Sequence, residues 1–173
     1  IDQHALHERV MFEKLKARIL VGNLESQRLL MPVVINISPT YTDLIEQTRK
    51  LFVRIGIEAE LMGPGAIAVH AFPSFLFERN VEPGDFVLSL LDYAVEHGAL
   101  QGEITEDEAA LHKVLDMMSC KAAVKAGDKL SESELLELLK HQDVFERTGS
   151  CPHGRPTTIH LSLQELEKQF ERR

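Results

Sequence analysis

The chain has 173 residues, 44% hydrophobic and 27% charged. That is enough to bury about 70% of the surface an unfolded chain exposes, and it excludes a disordered, collagen-like or fibrous protein. The longest apolar stretches, residues 29–34 and 66–71, are broken by Pro32 and His70, which excludes a transmembrane span, and the net charge of −8 is the wrong sign for holding DNA by phosphate neutralisation alone.

Residues 3–20 read as a helix, with Leu6, Val10, Phe12, Leu15 and Ile19 at helical spacing. Asp2 stands in the N-cap position and Gly22 follows the last periodic residue. A short β-like run covers residues 33–37. Ser38-Pro39 then opens a second helix, because proline at the first helical position gives up only an N–H that has no partner there. Leu44, Thr48, Leu51 and Ile55 line its face and Gly56 ends it. Alternation of Ile57, Ala59 and Leu61, then Ile67, Val69 and Ala71, predicts a hairpin around Gly63-Pro64-Gly65. A helix over 83–97 follows.

The last third is more helical. Thr105 with Glu108, Ser131 with Glu134 and Ser162 with Glu165 match the capping box, in which two backbone N–H groups are satisfied reciprocally. They predict helices near 106–126, 132–140 and 163–171, with a strand over 157–160. Mixed, non-alternating order argues an α+β fold. No signal peptide is visible, since a charged run begins almost at once. The opening Ile1-Asp2, in place of Met, reads as a fragment of a longer chain.

Two clusters could carry chemistry. His4 and Glu8 share a helix face, and Asp2 at the cap can lean over the same spot. Carboxylate, imidazole and carboxylate make a borderline-metal set, although, taken alone, an N-cap plus an exposed His–Glu pair is the plainer reading. Cys151-Pro152-His153 places a thiol and an imidazole two residues apart on a stiffened loop, able to reach one zinc-like ion. A buried cysteine beside a loop histidine is the plainer reading. Cys120 falls mid-helix, where core packing is usual. Two cysteines are too few for a secreted disulfide framework and fit reduced thiols in a cytosolic compartment.

The combination is more specific than its parts. Asp2-Gln3-His4-Ala5 with Glu8 and Glu13 resembles the endonuclease motif in the C-terminal domain of the MutL family of DNA mismatch-repair proteins. Ser119-Cys120-Lys121, continuing to Ala123 and Lys125, is similar to that family's second motif, whose usual first residue is alanine. Cys151-Pro152-His153-Gly154-Arg155-Pro156 is similar to its third, and Phe170-Glu171-Arg172 to its last. Four motifs stand in the family's order, from residue 2 to residue 172.

The resemblance implies a dimerisation and endonuclease subdomain formed by both chain ends, residues 1–24 plus 119–173, with an inserted α/β regulatory subdomain over 25–118. The β-strands that precede the first motif in the family are not in this chain. The resemblance further implies metal-dependent nicking of duplex DNA by a homodimer in the bacterial cytoplasm. Asp2, His4, Glu8, Cys120, Cys151 and His153 would be the metal ligands. Zn²⁺ would be structural or regulatory and Mn²⁺ or Mg²⁺ catalytic, with Asp2 on the catalytic ion and Glu8 bridging. Lys125 and Arg155 would offset charge on the phosphate. ATP is not expected, since the family's ATPase region is not in these residues. Duplex DNA would bind weakly, and a mismatch-recognition protein would be met through the full-length chain. No membrane partner is expected. Finally, Gln27-Arg28-Leu29-Leu30-Met31-Pro32 resembles the peptide by which such nucleases engage the DNA sliding clamp. Gln27, Leu29, Leu30, Met31 and Pro32 would be the contacts, on a surface connection ahead of the Val33 strand. The start of a core strand is the competing reading.

Overall fold

The structure is a computed structural model that describes residues 1–97, 108–125, 128, 130–142, 149–159 and 161–170. Among these, seven α-helices, a 3-10 turn and one three-stranded sheet give a mixed α/β fold. The helices are α1 (Gln3–Val21), α2 (Thr42–Arg54), α3 (Ser74–Phe77), α4 (Pro83–His97), α5 (Glu108–Ala122), α6 (Glu132–Gln142) and α7 (Leu163–Gln169). The strands are β1 (Ser26–Asn36), β2 (Glu58–Leu61) and β3 (Ala66–Pro73), in the order β1-β3-β2, with both pairings antiparallel. No helix among the described residues is long and apolar enough to cross a membrane.

The chain divides into two compact units. The larger, residues 11–123, is built on apolar burial. Phe12, Leu15 and Ile19 of α1, Leu51 and Phe52 of α2, Ile67, Val69 and Phe72 of β3, Phe86 and Leu90 of α4 and Leu115 and Met118 of α5 form one continuous core. Phe72 and Phe86 meet edge to face, their centroids 5.7 Å apart, a geometry that aligns ring edge with ring face. Gly56, at φ +84°, turns the chain out of α2. A Cβ there would lie 3.0 Å from the Leu24 carbonyl oxygen, so only glycine fits.

Within this unit β1 is longer than the predicted run and carries an irregularity. Arg28 pairs with Ala71 and Val33 with Val69, so the four residues from Leu29 to Pro32 face His70 alone. Pro32 has no N–H to give a ladder, and proline within a sheet belongs at an edge or a bulge. Here it has both.

The smaller unit joins residues 1–10 to 124–173. Among its described residues the apolar centre is Leu6, Val10 and Leu138, with Leu130 packed against them. Two predicted caps form. Ser131 and Glu134 bond reciprocally at α6, and Ser162 and Glu165 do so at α7. The Ser162 hydroxyl and N–H, donating to the Glu165 carboxylate at 2.7 and 2.8 Å, hold it below its ordinary pKa. Thr105, the first residue of the third predicted box, lies outside the described residues. The strand expected over 157–160 is absent from residues 157–159, and His160 is not described. In its place Ser150 and Pro156 make an isolated bridge. Pro156 again has no N–H with which to extend a ladder.

Candidate metal centre

The site is assembled in the smaller unit from a helix start and a hairpin tip. Asp2 caps α1, its Oδ1 accepting the Ala5 N–H at 3.0 Å, as an N-cap aspartate does. The Asp2 N–H donates in turn to the Thr157 carbonyl at 2.8 Å, which ties the helix start to the chain leaving the hairpin. His4 Nδ1 lies 2.7 Å from the Val124 carbonyl oxygen. A carbonyl can only accept, so Nδ1 carries a proton, and in the neutral ring Nε2 keeps its lone pair. A second hydrogen bond of this kind is how ligand histidines are oriented.

The hairpin tip has a turn that its residues require. The Gly154 N–H donates to the Cys151 carbonyl at 2.8 Å, and the Cys151 N–H to the Arg155 carbonyl at 2.7 Å. Gly154 stands at φ +80°. This is the three-residue loop that ends in a left-handed residue. Pro152 sits where its fixed φ favours the turn, and glycine takes the left-handed position without a Cβ penalty. Cys151 and His153 are thereby held on one rigid tip.

Glu8 meets that tip. One ligand atom from each of Glu8, Cys151 and His153 lies within 4.8 Å of the other two. Glu8 and Cys151 are each 2% exposed, whereas the His153 side chain is 40% exposed. Glu8 Oε1 lies 2.9 Å from His153 Nδ1, an ion pair when the imidazole is protonated, and has no hydrogen bond of good geometry. A buried carboxylate oxygen in that condition is costly unless a cation answers it. Thiol, imidazole and carboxylate gathered around it form a donor set for a divalent ion of borderline softness.

The other anticipated residues are placed as follows. Among the described residues, Asp2, His4 and Cys120 stand outside the mutually close group. Cys120 is exposed on α5, in the larger unit. Ser119, in the position where alanine is usual, is fully buried, and its hydroxyl donates to the Asp116 carbonyl at 3.0 Å. Its polar atom is therefore satisfied. Lys125 is exposed, its N–H bonded to Asp128 Oδ2 at 2.7 Å, and Arg155 is exposed. Phe170 is exposed past α7, and Glu171 and Arg172 lie outside the described residues.

Gln27, Leu29, Leu30, Met31 and Pro32 are not on a connection. They belong to β1, and Leu29 to Pro32 make up its bulge. Leu30 is fully exposed and Met31 is 80% exposed, so these two do not begin a core strand. Sequence reasoning missed two carbonyls, those of Thr157 and Val124. Both act through the backbone and leave no residue-type signal.

A helix-cap carboxylate, an oriented histidine and a Glu, Cys, His cluster drawn from opposite chain ends accompany a recognisable domain class. Residues 1–130 match the family described as the MutL C terminal dimerisation domain, and the chain belongs to that family. Among curated relatives, the DNA mismatch repair protein MutL of Clostridium botulinum (strain Kyoto / Type A2) is 36% identical over 172 residues, covering 99% of this chain and 25% of the relative. The protein of that name from Brucella abortus (strain S19) is 35% identical over 173 residues, 100% of this chain and 27% of the relative. The chain therefore spans about a quarter of the length of the curated relatives it matches.

Proposed function

We propose that this chain is the metal-dependent endonuclease and dimerisation module of a mismatch-repair protein, nicking one strand of duplex DNA as a homodimer. The observation that carries the reading is the meeting of Glu8, Cys151 and His153, with the carboxylate and the thiol both buried. Glu8, Cys151 and His153 would hold zinc, whose taste for sulfur and nitrogen they match. Asp2, His4 and a bridging Glu8 would hold a harder Mn²⁺ or Mg²⁺ ion. Cys120 is a further ligand candidate on the motif resemblance alone. Such ions, when bound, supply a water of lowered pKa and neutralise charge at a phosphate.

The chain's own residues have separate tasks. Glu8 is fixed by its helix and by burial, so its carboxylate is pre-oriented. Asp2 uses Oδ1 for capping, and Oδ2 remains for ligation. His4 offers Nε2, aimed by its bond to Val124. Lys125 and Arg155, both exposed, would offset charge developing on the phosphate.

Clamp engagement belongs to the same reading. Leu30 and Met31 project from a bulged edge strand and Gln27 is exposed. That is a small apolar anchor with an amide beside it, suited to a partner pocket. Docking on a loaded clamp raises the local concentration of substrate by tethering, which an acidic nuclease needs. Pairing of two copies is supported by the family and by apolar side chains left exposed in the smaller unit, among them Leu136, Ile159, Leu163 and Phe170.

Plasmid nicking with Mn²⁺ tests the reading. Wild type should nick and Asp2→Asn should not, with folding unchanged. Gln27→Ala with Leu30→Ala and Met31→Ala should abolish only the clamp-stimulated fraction. One observation favours a second reading, a non-catalytic dimerisation and partner-binding module with structural zinc: the Asp2 carboxylate already serves as a helix cap. Bound zinc with no nicking by wild type would select it.

A further inference from the structure

The peptide group between Val124 and Lys125 is held at both ends. At one end the Val124 carbonyl accepts from His4 Nδ1 at 2.7 Å. At the other the Lys125 N–H donates to Asp128 Oδ2 at 2.7 Å. No described peptide bond is cis, so this carbonyl and N–H point in opposite directions within one rigid plane. A constraint on the N–H is therefore a constraint on the oxygen. All four residues belong to the smaller unit.

Asp128 is anchored for such a hold. Its own N–H donates to the Lys125 carbonyl at 3.1 Å, which closes the turn on itself. Gln3 Nε2, from the residue beside His4, donates to the Asp128 carbonyl at 3.4 Å. Val124 is 1% exposed, so its carbonyl has little water to turn to. Asp128 itself is exposed and takes no part in the apolar centre.

We propose that Asp128 is a positioning residue for His4, acting through this one peptide group. A carboxylate that accepts the amide N–H polarises the amide, and the carbonyl oxygen on the far side becomes the stronger acceptor. The His4 proton is then kept on Nδ1, and Nε2 is left as the lone pair for a divalent cation. Ligand histidines are commonly supported by a carboxylate directly; here an amide is inserted between carboxylate and ring. The same bond fixes the backbone from which the Lys125 side chain departs. The inference rests on the reading of His4 as a metal ligand, but its first readout needs no metal.

Nitrogen NMR of the histidine rings in chelator, at a pH of about 8 where an ordinary histidine is neutral, tests it without cleavage. Wild type should show His4 protonated at Nδ1, assigned by the signal lost in His4→Asn. In Asp128→Ala the ratio of the Nδ1–H to the Nε2–H form should fall about threefold or more, the order of a weakened hydrogen bond. Mn²⁺ affinity, read from the paramagnetic resonance of the free ion, should fall about tenfold, the low end for loss of an outer support. Asp128→Asn keeps an oxygen that can accept the Lys125 N–H and should restore both. Glu134→Ala removes another exposed carboxylate, which accepts the Ser131 N–H at 2.8 Å, and should leave His4 unchanged. An unchanged His4 ratio in Asp128→Ala would overturn the proposal. So would an equal change in Glu134→Ala, or no restoration by Asp128→Asn. A shifted ratio with unaltered Mn²⁺ affinity, or with no nicking by wild type, would leave the positioning standing and count against the metal and endonuclease reading alone.

Discussion

The two units solve opposite problems. Among the described residues, the larger one buries twenty-five in a single apolar core shared by helices and sheet. The smaller one buries three of its described residues in its cluster and is tied by directed bonds: Asp2 to Thr157, His4 to Val124 and the paired bonds of the Cys151 turn. Apolar burial is non-directional and scales with area, so it builds a scaffold without fixing individual atoms. Hydrogen bonds give modest net stability but set position and angle. The candidate chemistry lies in the unit built by direction.

That contrast should appear in the size of mutational effects. Phe72→Ala, at the centre of the large core and against Phe86, is expected to cost about 3–5 kcal/mol in denaturant unfolding. Leu6→Ala removes an equally buried but smaller side chain from the small cluster, so about 2–3 kcal/mol is expected. A larger loss for Leu6 than for Phe72 would break the comparison.

Gly154→Ala sharpens it on the other side. No atom of the described residues lies within 4 Å of the added Cβ, so the expected cost is that of the positive φ, about 1–2 kcal/mol. Bound zinc, counted by metal analysis, should nevertheless fall as far as in Cys151→Ser with His153→Ala, with the larger unit's melting unchanged. Full metal content in Gly154→Ala would show that the turn does not aim the ligands.

The smallest effect is electrostatic. Hydrogen bonds from Ser162 hold the Glu165 carboxyl below its ordinary value of 4.5. A lowered folded pKa means that its contribution is fully present above the ordinary value and is lost as pH falls through the folded one. The start of α7 should therefore fray only in acid. Carboxyl titration by NMR should place Glu165 below 4.5 and return it to the ordinary range in Ser162→Ala.

The sequence announced local structure better than assembly. Asp2 and Gly56 mark helix ends because capping and left-handed exits depend on residue type, and Ser162 with Glu165 announced α7 for the same reason. The extent of β1 was hidden, since its first half is exposed and interrupted by Pro32, leaving no alternation to read. The run after Pro156 had strand-like composition but no ladder to join. The pairing of Glu8 with Cys151 and His153 depends on tertiary folding and could be anticipated only from the family's motif order. The orienting carbonyls of Val124 and Thr157 carry no side-chain identity at all.

The bulge in β1 also decides how a visitor could attach. A regular edge strand offers a row of free N–H and C=O groups and invites another strand to add itself. From Leu29 to Pro32 the ladder is out of step and one N–H is missing, so this stretch is a poor template for a fourth strand. Leu30 and Met31 thus face solvent on a stretch that disfavours strand addition. Whatever grips this stretch must read side chains, and its selectivity will follow the shape of two apolar groups rather than the backbone.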